Sequence, residues 1–436
     1  MTANQAVPVK KWAVFFVLAY VVQGFAQTTG ILFQPLQYFL KAEHGYTASQ
    51  LAAFTFWVTF PWYIKPVYGL LSDFVPLLGY RRRSYLVISC FLSFVAFTLV
   101  LGITDPRLIL YALILTAICT AFGDVMVDAL MVEKGQAANK ITLFQGLQWT
   151  SISAIGILAA VGGGLLAQFA KNTDEPIAGV RIAAMIALIG PTILLFATWF
   201  IVKETKSGLD KQGLQRAGSG FAIAMKSKPL LGVVLFVCLF WFQPGLIAPM
   251  YIFCTEDLGI SEAFYGSASA WTQGGYMIGA VLFLFVLSRR FSTRQLAVLS
   301  ICLYAGSTFT YLGLVGPKSL VALSVLYGVC YMISNLTLLS LAAQVCPRYV
   351  EAFVFAFLMG LFNFVKQGSE WIGGEAYDRL VASRTSDEQS IWSSIDLSSL
   401  GLSHPIHPLI VASGTITLLA FVFVPLLPKA IPAAEE

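Results

Sequence analysis

Three charged residues, Lys65, Asp124 and Asp128, lie inside long apolar runs of the sequence. Lys65 comes six residues before one run ends at Leu71, and the two carboxylates are four residues apart, on one face of a helix. At a rise of about 1.5 Å per residue, Lys65 lies about 9 Å from the end of its run at Leu71. Asp128 and Asp124 lie about 6 and 12 Å from the end of theirs near Val132. We therefore expect a Lys–Asp–Asp cluster that serves proton coupling or gating. The alternative is a packing triad that only joins two helices.

A second polar group, Asn363, Lys366 and Glu370, lies in an apolar run near the C-terminal end. Lys366 and Glu370 are four residues apart and share one helical face. An ammonium in a low-dielectric cavity gains from an anionic partner, so we expect Lys366 to bind an anionic substrate. Glu370 would tune Lys366 or carry a proton. The alternative is an ion pair within the helix that serves packing alone.

Four residues near the N-terminus, Gln23, Gln27, Gly30 and Gln34, follow one another at helical spacing. In a continuous helix they share one stripe. That stripe must face a cavity or another helix, because an amide without a hydrogen-bond partner in lipid costs free energy. Glutamines donate and accept hydrogen bonds and could read the edge of a heterocycle; contact between helices is the alternative. Weaker polar candidates, and tryptophans that could stack on a flat ring, are Gln145, Gln148, Asn335, Trp57, Trp62, Trp149, Trp241 and Trp271.

The rest of the chain is too apolar for a soluble fold. Of its 436 residues, 58% are hydrophobic and 11% are charged, and the mean hydropathy is +0.78. Soluble domains carry about 25% charged residues. The composition therefore predicts an integral membrane protein embedded in a lipid bilayer. A net charge of +5 spread over the whole chain excludes a nucleic-acid binder.

Cysteine and histidine show no metal-binding pattern. The seven cysteines are irregularly spaced, and the three histidines fall between apolar runs. We therefore expect no metal and no cofactor, and consider a metal site at His404 and His407 improbable. Without a nucleophile–base arrangement in the apolar runs, a membrane enzyme is disfavoured. A channel is also disfavoured, because no repeated filter element is visible.

A membrane-crossing helix needs about 20 apolar residues. On that basis the sequence predicts an all-α integral membrane protein with twelve transmembrane helices in two six-helix bundles. The predicted spans are 12–40, 48–71, 84–103, 108–132, 141–169, 180–202, 229–254, 262–287, 295–315, 319–345, 350–375 and 406–427. The predicted domains are an N-terminal bundle over 1–202, a cytoplasmic linker over 203–228 and a C-terminal bundle over 229–436. The first apolar run is too long for a signal peptide, so we expect no cleavable targeting segment.

The distribution of basic residues predicts the orientation. With a cytoplasmic N-terminus, 18 of the 27 Lys and Arg residues fall in cytoplasmic segments and 7 fall in segments outside. This bias places both termini in the cytoplasm. We expect a monomer.

The two halves resemble each other after a shift of 214 residues. Pro35, Phe39, Gly45, Thr47 and Trp57 then meet Pro249, Phe253, Gly259, Ser261 and Trp271. Thr47 and Ser261 suit helix N-caps, and Thr47 with Gln50 forms a capping-box pattern. Pro35, Pro244 and Pro249 predict kinks. Two similar halves are typical of transporters that bind substrate between them near the midplane.

The loop after the second predicted span reads Gly69-Leu-Leu-Ser-Asp73-Phe-Val-Pro-Leu-Leu-Gly79-Tyr-Arg81-Arg82-Arg83. It resembles the major facilitator signature of Gly, Asp, Gly and a basic pair, which acts in gating. We expect Gly69 to permit close helix contact and the arginines to hold the loop at the anionic inner surface. Asp73 is expected to interact with Arg348 and the start of the eleventh helix.

Five residues separate Asp73 from Gly79, where the superfamily usually has two. With that insertion, the stretch 61–85 resembles the folate–biopterin transporter family, and so does the block from Gly123 to Glu133. The resemblance implies a secondary transporter of folate or related pterins that works by alternating access and is driven by protons. Muropeptide permeases and acetyl-CoA transporters have similar blocks, so another bulky anion is the alternative cargo. A bacterial inner membrane is the expected location, and a plastid envelope is the alternative.

Overall fold

The computed structural model describes residues 8–138, 140–210, 226–345, 351–385, 398–400 and 402–427. Its α-helices are α1 Val9–Ala26, α2 Phe33–His44, α3 Ala48–Thr59, α4 Lys65–Phe74, α5 Arg83–Gly102, α6 Pro106–Ala138, α7 Ile141–Thr173, α8 Pro176–Ala187, α9 Ile189–Ile201, α10 Lys228–Trp241, α11 Ile247–Ile252, α12 Glu262–Leu282, α13 Thr293–Thr310, α14 Pro317–Val345, α15 Glu351–Thr385 and α16 Ile406–Leu419. Short 3₁₀ or π segments extend several of them, and α12 continues through a π turn to Arg290. The prediction of an all-α membrane protein is confirmed. Within the described residues, nine helices are long and apolar enough to cross a membrane.

The chain divides into two compact units. The first comprises residues 1–39 and 57–216, and the second comprises 40–56 and 217–436. In the first unit, α1 packs against α7 and α9, and α5 packs against α6. In the second unit, α12 and α13 both pack against α14, and α10 packs against α15.

An aromatic core holds the first unit together. Trp12 and Phe16 stack on α1 with ring centroids 5.7 Å apart, and Phe16 meets Phe144 of α7 edge-on at 4.9 Å. Phe15 and Tyr20 on the same helix are fully buried. These large buried side chains of α1 contact the neighbouring helices, so aromatic packing determines the position of α1.

The first predicted span is interrupted. The backbone turns over residues 27–32, where the amide of Ile31 donates to the carbonyl of Phe25 at 3.2 Å. A Cβ at Gly30 would overlap the carbonyls of Phe25 and Gln27, so the turn requires a glycine. Pro35 follows and cannot donate to a helical hydrogen bond.

The prediction of one continuous glutamine stripe is therefore wrong. Gln23 lies in the last turn of α1, Gln27 ends that helix with extended backbone angles, and Gln34 belongs to α2. Gln27 still follows Gln23 by one helical turn, because its amide donates to the Gln23 carbonyl at 3.1 Å. The turn over residues 27–32 then interrupts the helix, so helical spacing does not extend to Gln34.

The second and seventh predicted spans are also interrupted. α3 ends at Thr59, a 3₁₀ turn contains Pro61, and α4 begins at Lys65. α10 ends at Trp241, and α11 begins only after a segment that contains Pro244. Each break coincides with a proline, which has no N–H to donate to the helical hydrogen bonds. This agrees with the predicted kink at Pro244.

The break between α10 and α11 is held by other helices of the second unit. The amide of Gly245 donates to the carbonyl of Ser369 at 2.8 Å, and the hydroxyl of Ser413 donates to the carbonyl of Pro244 at 2.5 Å. The amide of Ile247 donates to Oε2 of Glu370 at 3.0 Å. These bonds replace the intrahelical bonds that the break removes.

The repeat appears in the backbone at two turns. Gly45 has φ +63° and Gly259 has φ +62°. The following amides, those of Tyr46 and Ile260, each donate to a carbonyl six residues earlier, Leu40 at 3.2 Å and Cys254 at 2.9 Å. The turns that correspond in the 214-residue shift thus share one conformation.

The predicted N-caps are confirmed. The Thr47 amide donates to Oε1 of Gln50 at 3.0 Å, and the Gln50 amide donates to Oγ1 of Thr47 at 3.4 Å, which forms the capping box. Ser261 Oγ accepts from the amide of Phe264 at 3.3 Å. Each cap satisfies a backbone donor that the start of its helix leaves unpaired.

Gly373→Ala should destabilise the protein by about 1–3 kcal/mol, because a Cβ there would overlap the backbone of Gly245 in the break. Gly368 lies on the same helix, and a Cβ at that position meets nothing within 4 Å. Gly368→Ala should therefore be neutral or stabilise by up to about 1 kcal/mol. Thermal unfolding of the detergent-purified variants measures both effects. Equal midpoints for the two variants would show that the break tolerates the added carbon.

Candidate functional site

The break in the second predicted span places Lys65 at the start of α4. Its ammonium donates to Oδ2 of Asp124 on α6 at 2.5 Å. The ammonium also lies 4.3 Å from the ring centroid of Trp62, in the turn before α4. The Asp124 side chain is 3% exposed, so its charge is compensated by Lys65 rather than by solvent.

Asp128 lies one turn further along α6 and has other partners. Its Oδ1 accepts from the hydroxyl of Tyr20 at 2.6 Å and from Nε2 of Gln148 at 3.1 Å. Within the described chain, no ion pair joins Lys65 to Asp128. The structure therefore brings Lys65 and Asp124 together and gives the second carboxylate a neutral hydrogen-bonding environment.

Tyr20 was missed by reasoning from the sequence. Its hydroxyl is the shortest neutral contact of Asp128, and its side chain is fully buried. The signal was present, because Tyr20 comes three residues before Gln23 and shares its face of α1. In an apolar helix, a tyrosine is more readily interpreted as an aromatic packing residue than as a hydrogen-bond donor. Its partner Asp128 is also 108 residues away in the sequence.

The three glutamines have separate positions. Gln23 lines a small cavity beside Asp124. Gln27 marks the end of α1, and Gln34 is buried on α2. Their role in binding remains a prediction.

The signature loop is organised by Arg82. This side chain is 7% exposed and donates to Oγ of Ser72 at 2.6 Å and to Oδ1 of Asp73 at 2.5 Å. It also pairs with Glu133 of α6 at 3.3 Å. Asp73 thus has a partner within its own loop; Arg348 lies outside the described residues.

A carboxylate from the following segment caps the same loop. Glu204 accepts the backbone amides of Arg81, Arg82 and Arg83 at 3.0, 3.0 and 3.1 Å. These are donors at the start of α5, where a negative charge is favourable. The guanidinium carbon of Arg83 lies 4.9 Å from the ring centroid of Trp199.

The two signature glycines differ in what they require. Gly79 has φ +85°, a conformation that favours glycine, and its carbonyl accepts from the amide of Ser207 at 2.9 Å. A Cβ at Gly69 would stand 3.9 Å from Val125, which is an ordinary contact. A larger residue would therefore also fit at this position, so the predicted close helix contact does not require a glycine.

In the second unit, aromatic rings surround Lys366. Its ammonium donates to the hydroxyl of Tyr331 at 2.8 Å and lies 4.4 Å from that ring's centroid. It also lies 5.3 Å from the ring of Trp241. In the described residues, no carboxylate pairs with Lys366, and Glu370 instead accepts the amide of Ile247. Asn363 is exposed.

Further tyrosines complete this group, which we call the aromatic cluster: Trp241, Tyr276, Tyr304, Tyr327 and Tyr331. Ring centroids within it lie 5.1 to 6.3 Å apart. These separations suit offset or edge-to-face contact.

A chain of hydrogen bonds orients the aromatic cluster. The hydroxyl of Thr417 donates to Oε1 of Gln243 at 2.7 Å, and Nε2 of Gln243 donates to the hydroxyl of Tyr304 at 2.8 Å. The hydroxyls of Tyr304 and Tyr327 lie 3.0 Å apart. Gln243 belongs to the break between α10 and α11, so the break and the cluster are directly connected.

The tyrosines of the cluster were also missed from the sequence. Of the candidate tryptophans, Trp241 is the one found in the cluster. Tyr327 and Tyr331 are four residues apart on α14, a spacing that predicts a shared face. Nothing in the sequence placed Tyr276 and Tyr304, from two other helices, beside them.

The two C-terminal histidines have structural partners. Nε2 of His404 lies 3.2 Å from Oδ2 of Asp257, and its Nδ1 accepts from the amide of Ile406 at 3.2 Å. Nδ1 of His407 accepts from the amide of His404 at 3.2 Å. Burial lowers the pKa of His404, despite the nearby Asp257. Both ring nitrogens of His404 are thus in use.

Comparison with known proteins gives a family and a fold. A sequence model of the BT1 family matches residues 23–430. The chain is 28% identical over 379 residues to "Folate-biopterin transporter" of Synechocystis sp., covering 81% of this chain and 72% of the relative. It is 25% identical over 392 residues to "Probable folate-biopterin transporter 6" of Arabidopsis thaliana, covering 82% and 74%.

Among solved structures, the D-xylose-proton symporter superposes with a TM-score of 0.71 at 14% identity, covering 97% of this chain and 98% of the symporter. At that identity the match concerns the fold alone. The predicted major facilitator fold is confirmed at this level.

The Lys65–Asp124 pair should behave as a unit. Lys65→Ala leaves a buried carboxylate unpaired and should cost about 3–5 kcal/mol of stability, as should Asp124→Ala. The double variant should recover much of that loss. Arg379→Ala provides the control, because its pair with Glu375 is half exposed and should contribute at most about 0.5 kcal/mol. Membrane yield and thermal unfolding report the effects, and strictly additive losses would contradict a coupled pair.

Proposed function

The chain belongs to the BT1 family, the folate–biopterin transporter family that its sequence resembles, and on that premise we propose that it carries folate or a related pterin across a membrane. It acts as a secondary transporter by alternating access. Membership in a transporter family also agrees with the prediction that the chain is not an enzyme.

The proposed substrate class rests on the residues that surround Lys366. A folate combines a flat heterocycle with an anionic glutamyl end. The aromatic cluster offers ring faces for the heterocycle, and Lys366 offers a positive charge that forms no salt bridge with a carboxylate of the described chain. Cation–π contact holds the ammonium while leaving it able to pair with an anion.

The second candidate cargo, a muropeptide or an acyl-CoA, also has an anionic group. Lys366 alone would suit either. Several adjacent tyrosine rings favour a flat heterocycle, and the relatives named for folate and biopterin support the same choice.

The first unit supplies the coupling. Lys65 and Asp124 neutralise each other, so a proton that binds Asp124 would leave the ammonium unpaired. Asp128, with its hydrogen bonds from Tyr20 and Gln148, is the second carboxylate through which protons could act. A change of charge inside the membrane is costly, so this pair can link protonation to conformation.

The membrane arrangement follows from the same proposal. The nine described spanning helices, together with the interrupted second and seventh spans and the charged α15, give twelve. The proposed domains are 1–202, a linker over 203–228, whose residues 211–225 lie outside the described chain, and 229–436. Both termini face the cytoplasm of a bacterial inner membrane, and the protein acts as a monomer.

Purified protein in proteoliposomes should accumulate radiolabelled folate or pteridine when a proton gradient is imposed. A protonophore should abolish the accumulation because the gradient supplies its energy. Labelled muropeptide and acetyl-CoA, tested in the same vesicles, should enter no faster than in empty vesicles. Accumulation of either of these instead of folate would transfer the assignment to the second candidate cargo.

Lys366→Ala should raise the apparent KM for folate at least ~10-fold, equivalent to about 1.4 kcal/mol, because the glutamyl carboxylate loses its cation. A neutral pteridine without the glutamyl tail should be affected less than about twofold. Tyr331→Phe is the matched control, since it removes the hydroxyl that Lys366 contacts and keeps the ring. Equal losses for folate and the neutral pteridine, or absence of the protein from the membrane, would assign Lys366 to the scaffold.

A further inference from the structure

A partly open cavity of about 40 Å³ lies within the first unit, bordered by α1, α5, α6 and α9. Its polar lining consists of Gln23, Ser89, Ser93, Thr120 and Asp124. Asp128, one turn along α6, is not in its wall. The cavity therefore distinguishes the two carboxylates, because it adjoins the one that pairs with Lys65.

The lining has unused hydrogen-bonding capacity. Ser93 is 5% exposed, and its side chain lines the cavity together with that of the partly exposed Ser89. The hydroxyl of Thr120 donates to the carbonyl of Thr116 at 2.9 Å, which leaves its oxygen free to accept. Hydroxyls in the wall of a cavity can donate to and accept from a polar occupant, so this lining suits one.

Water fits this space better than a metal ion. One water needs about 10–15 Å³ of such volume and two to four polar neighbours. The cavity has the volume, and five polar residues belong to its otherwise mostly apolar wall. A cation would meet the Lys65 ammonium, which already lies 2.5 Å from Asp124 and balances its charge. The local charge thus favours a neutral occupant.

We propose that this cavity holds ordered water that delivers the coupling proton to Asp124. A neutral water in the cavity donates a proton to a carboxylate oxygen of Asp124 while it accepts a proton from the next water of the chain. An O–H bond thus forms on Asp124, and a neutral water remains beside it. Lys65 keeps its charge and loses its ion-pair partner. The proton leaves by the reverse transfer when Lys65 pairs with Asp124 again. This inference rests on the proposed proton-coupled transport.

Thr120→Val tests the proposal without changing side-chain volume. It should slow proton-driven folate accumulation about 10-fold or more, because the water loses an acceptor beside Asp124. Exchange of labelled for unlabelled folate, which requires no net proton transfer, should stay within about twofold. Ser93→Val, which also fills space, should act in the same direction.

Thr116→Val is the matched control. Thr116 lies one turn earlier on the same helix, makes the same kind of bond to the carbonyl of Ala112 at 3.0 Å, and does not line the cavity. It should leave both accumulation and exchange unchanged. Full proton-driven accumulation in Thr120→Val and Ser93→Val would overturn the water route while leaving the transport proposal intact. A wild-type protein that neither accumulates nor exchanges folate would instead refute the proposed function.

Two native thiols give a readout that does not depend on transport. Cys90 and Cys119 line the cavity, whereas Cys330, equally buried at 5% exposure, lies in the second unit away from it. On transfer to D₂O, the infrared S–H bands of Cys90 and Cys119 should convert to S–D before that of Cys330, with single Cys→Ala variants assigning each band. Simultaneous or slower exchange would show a dry cavity. Accumulation that requires Na⁺ at a constant proton gradient would assign the cavity to a cation and also reject the proposal.

Discussion

A charge or an unpaired backbone amide inside a bilayer has no water to bind, so it must find its partner within the chain. The membrane segments of this protein meet that requirement in several ways. Lys65 pairs with a carboxylate, and Lys366 rests on aromatic faces and a phenol. The breaks between helices bind side chains and carbonyls of neighbouring helices.

The same requirement distinguishes the two lysines. A buried ammonium paired with a carboxylate is neutralised, and it becomes responsive when a proton reaches that carboxylate. An ammonium held by rings keeps most of its attraction for anions. The first arrangement suits coupling, and the second suits recognition of an anionic substrate. Each unit of the chain contains one of them.

Helix breaks connect these arrangements to motion. Lys65 begins α4 directly after the break in the second predicted span, and Gln243 lies in the break before α11 and orients Tyr304. A break removes intrahelical bonds and leaves a few residues that can change conformation without unfolding a helix. Residues at a break can therefore respond to a ligand or a proton and also alter the path of a helix.

The sequence by itself determined the fold class, the family and most of the charged candidates. Apolar runs, the position of Lys65, and the spacing of Asp124 and Asp128 are local properties, and desolvation makes them informative without coordinates. The N-caps at Thr47 and Ser261 were equally local, because the cap and its acceptor lie within one helical turn.

Only the tertiary structure decided which partners these residues have. In the folded chain Lys65 forms a salt bridge with Asp124, and Asp128 accepts a hydrogen bond from Tyr20. It gathered tyrosines from several helices around Lys366, and it ended α1 where a continuous stripe was expected. Such contacts join residues tens to hundreds of positions apart. Their selection depends on how helices pack and where they break, and helical periodicity contains no information about either.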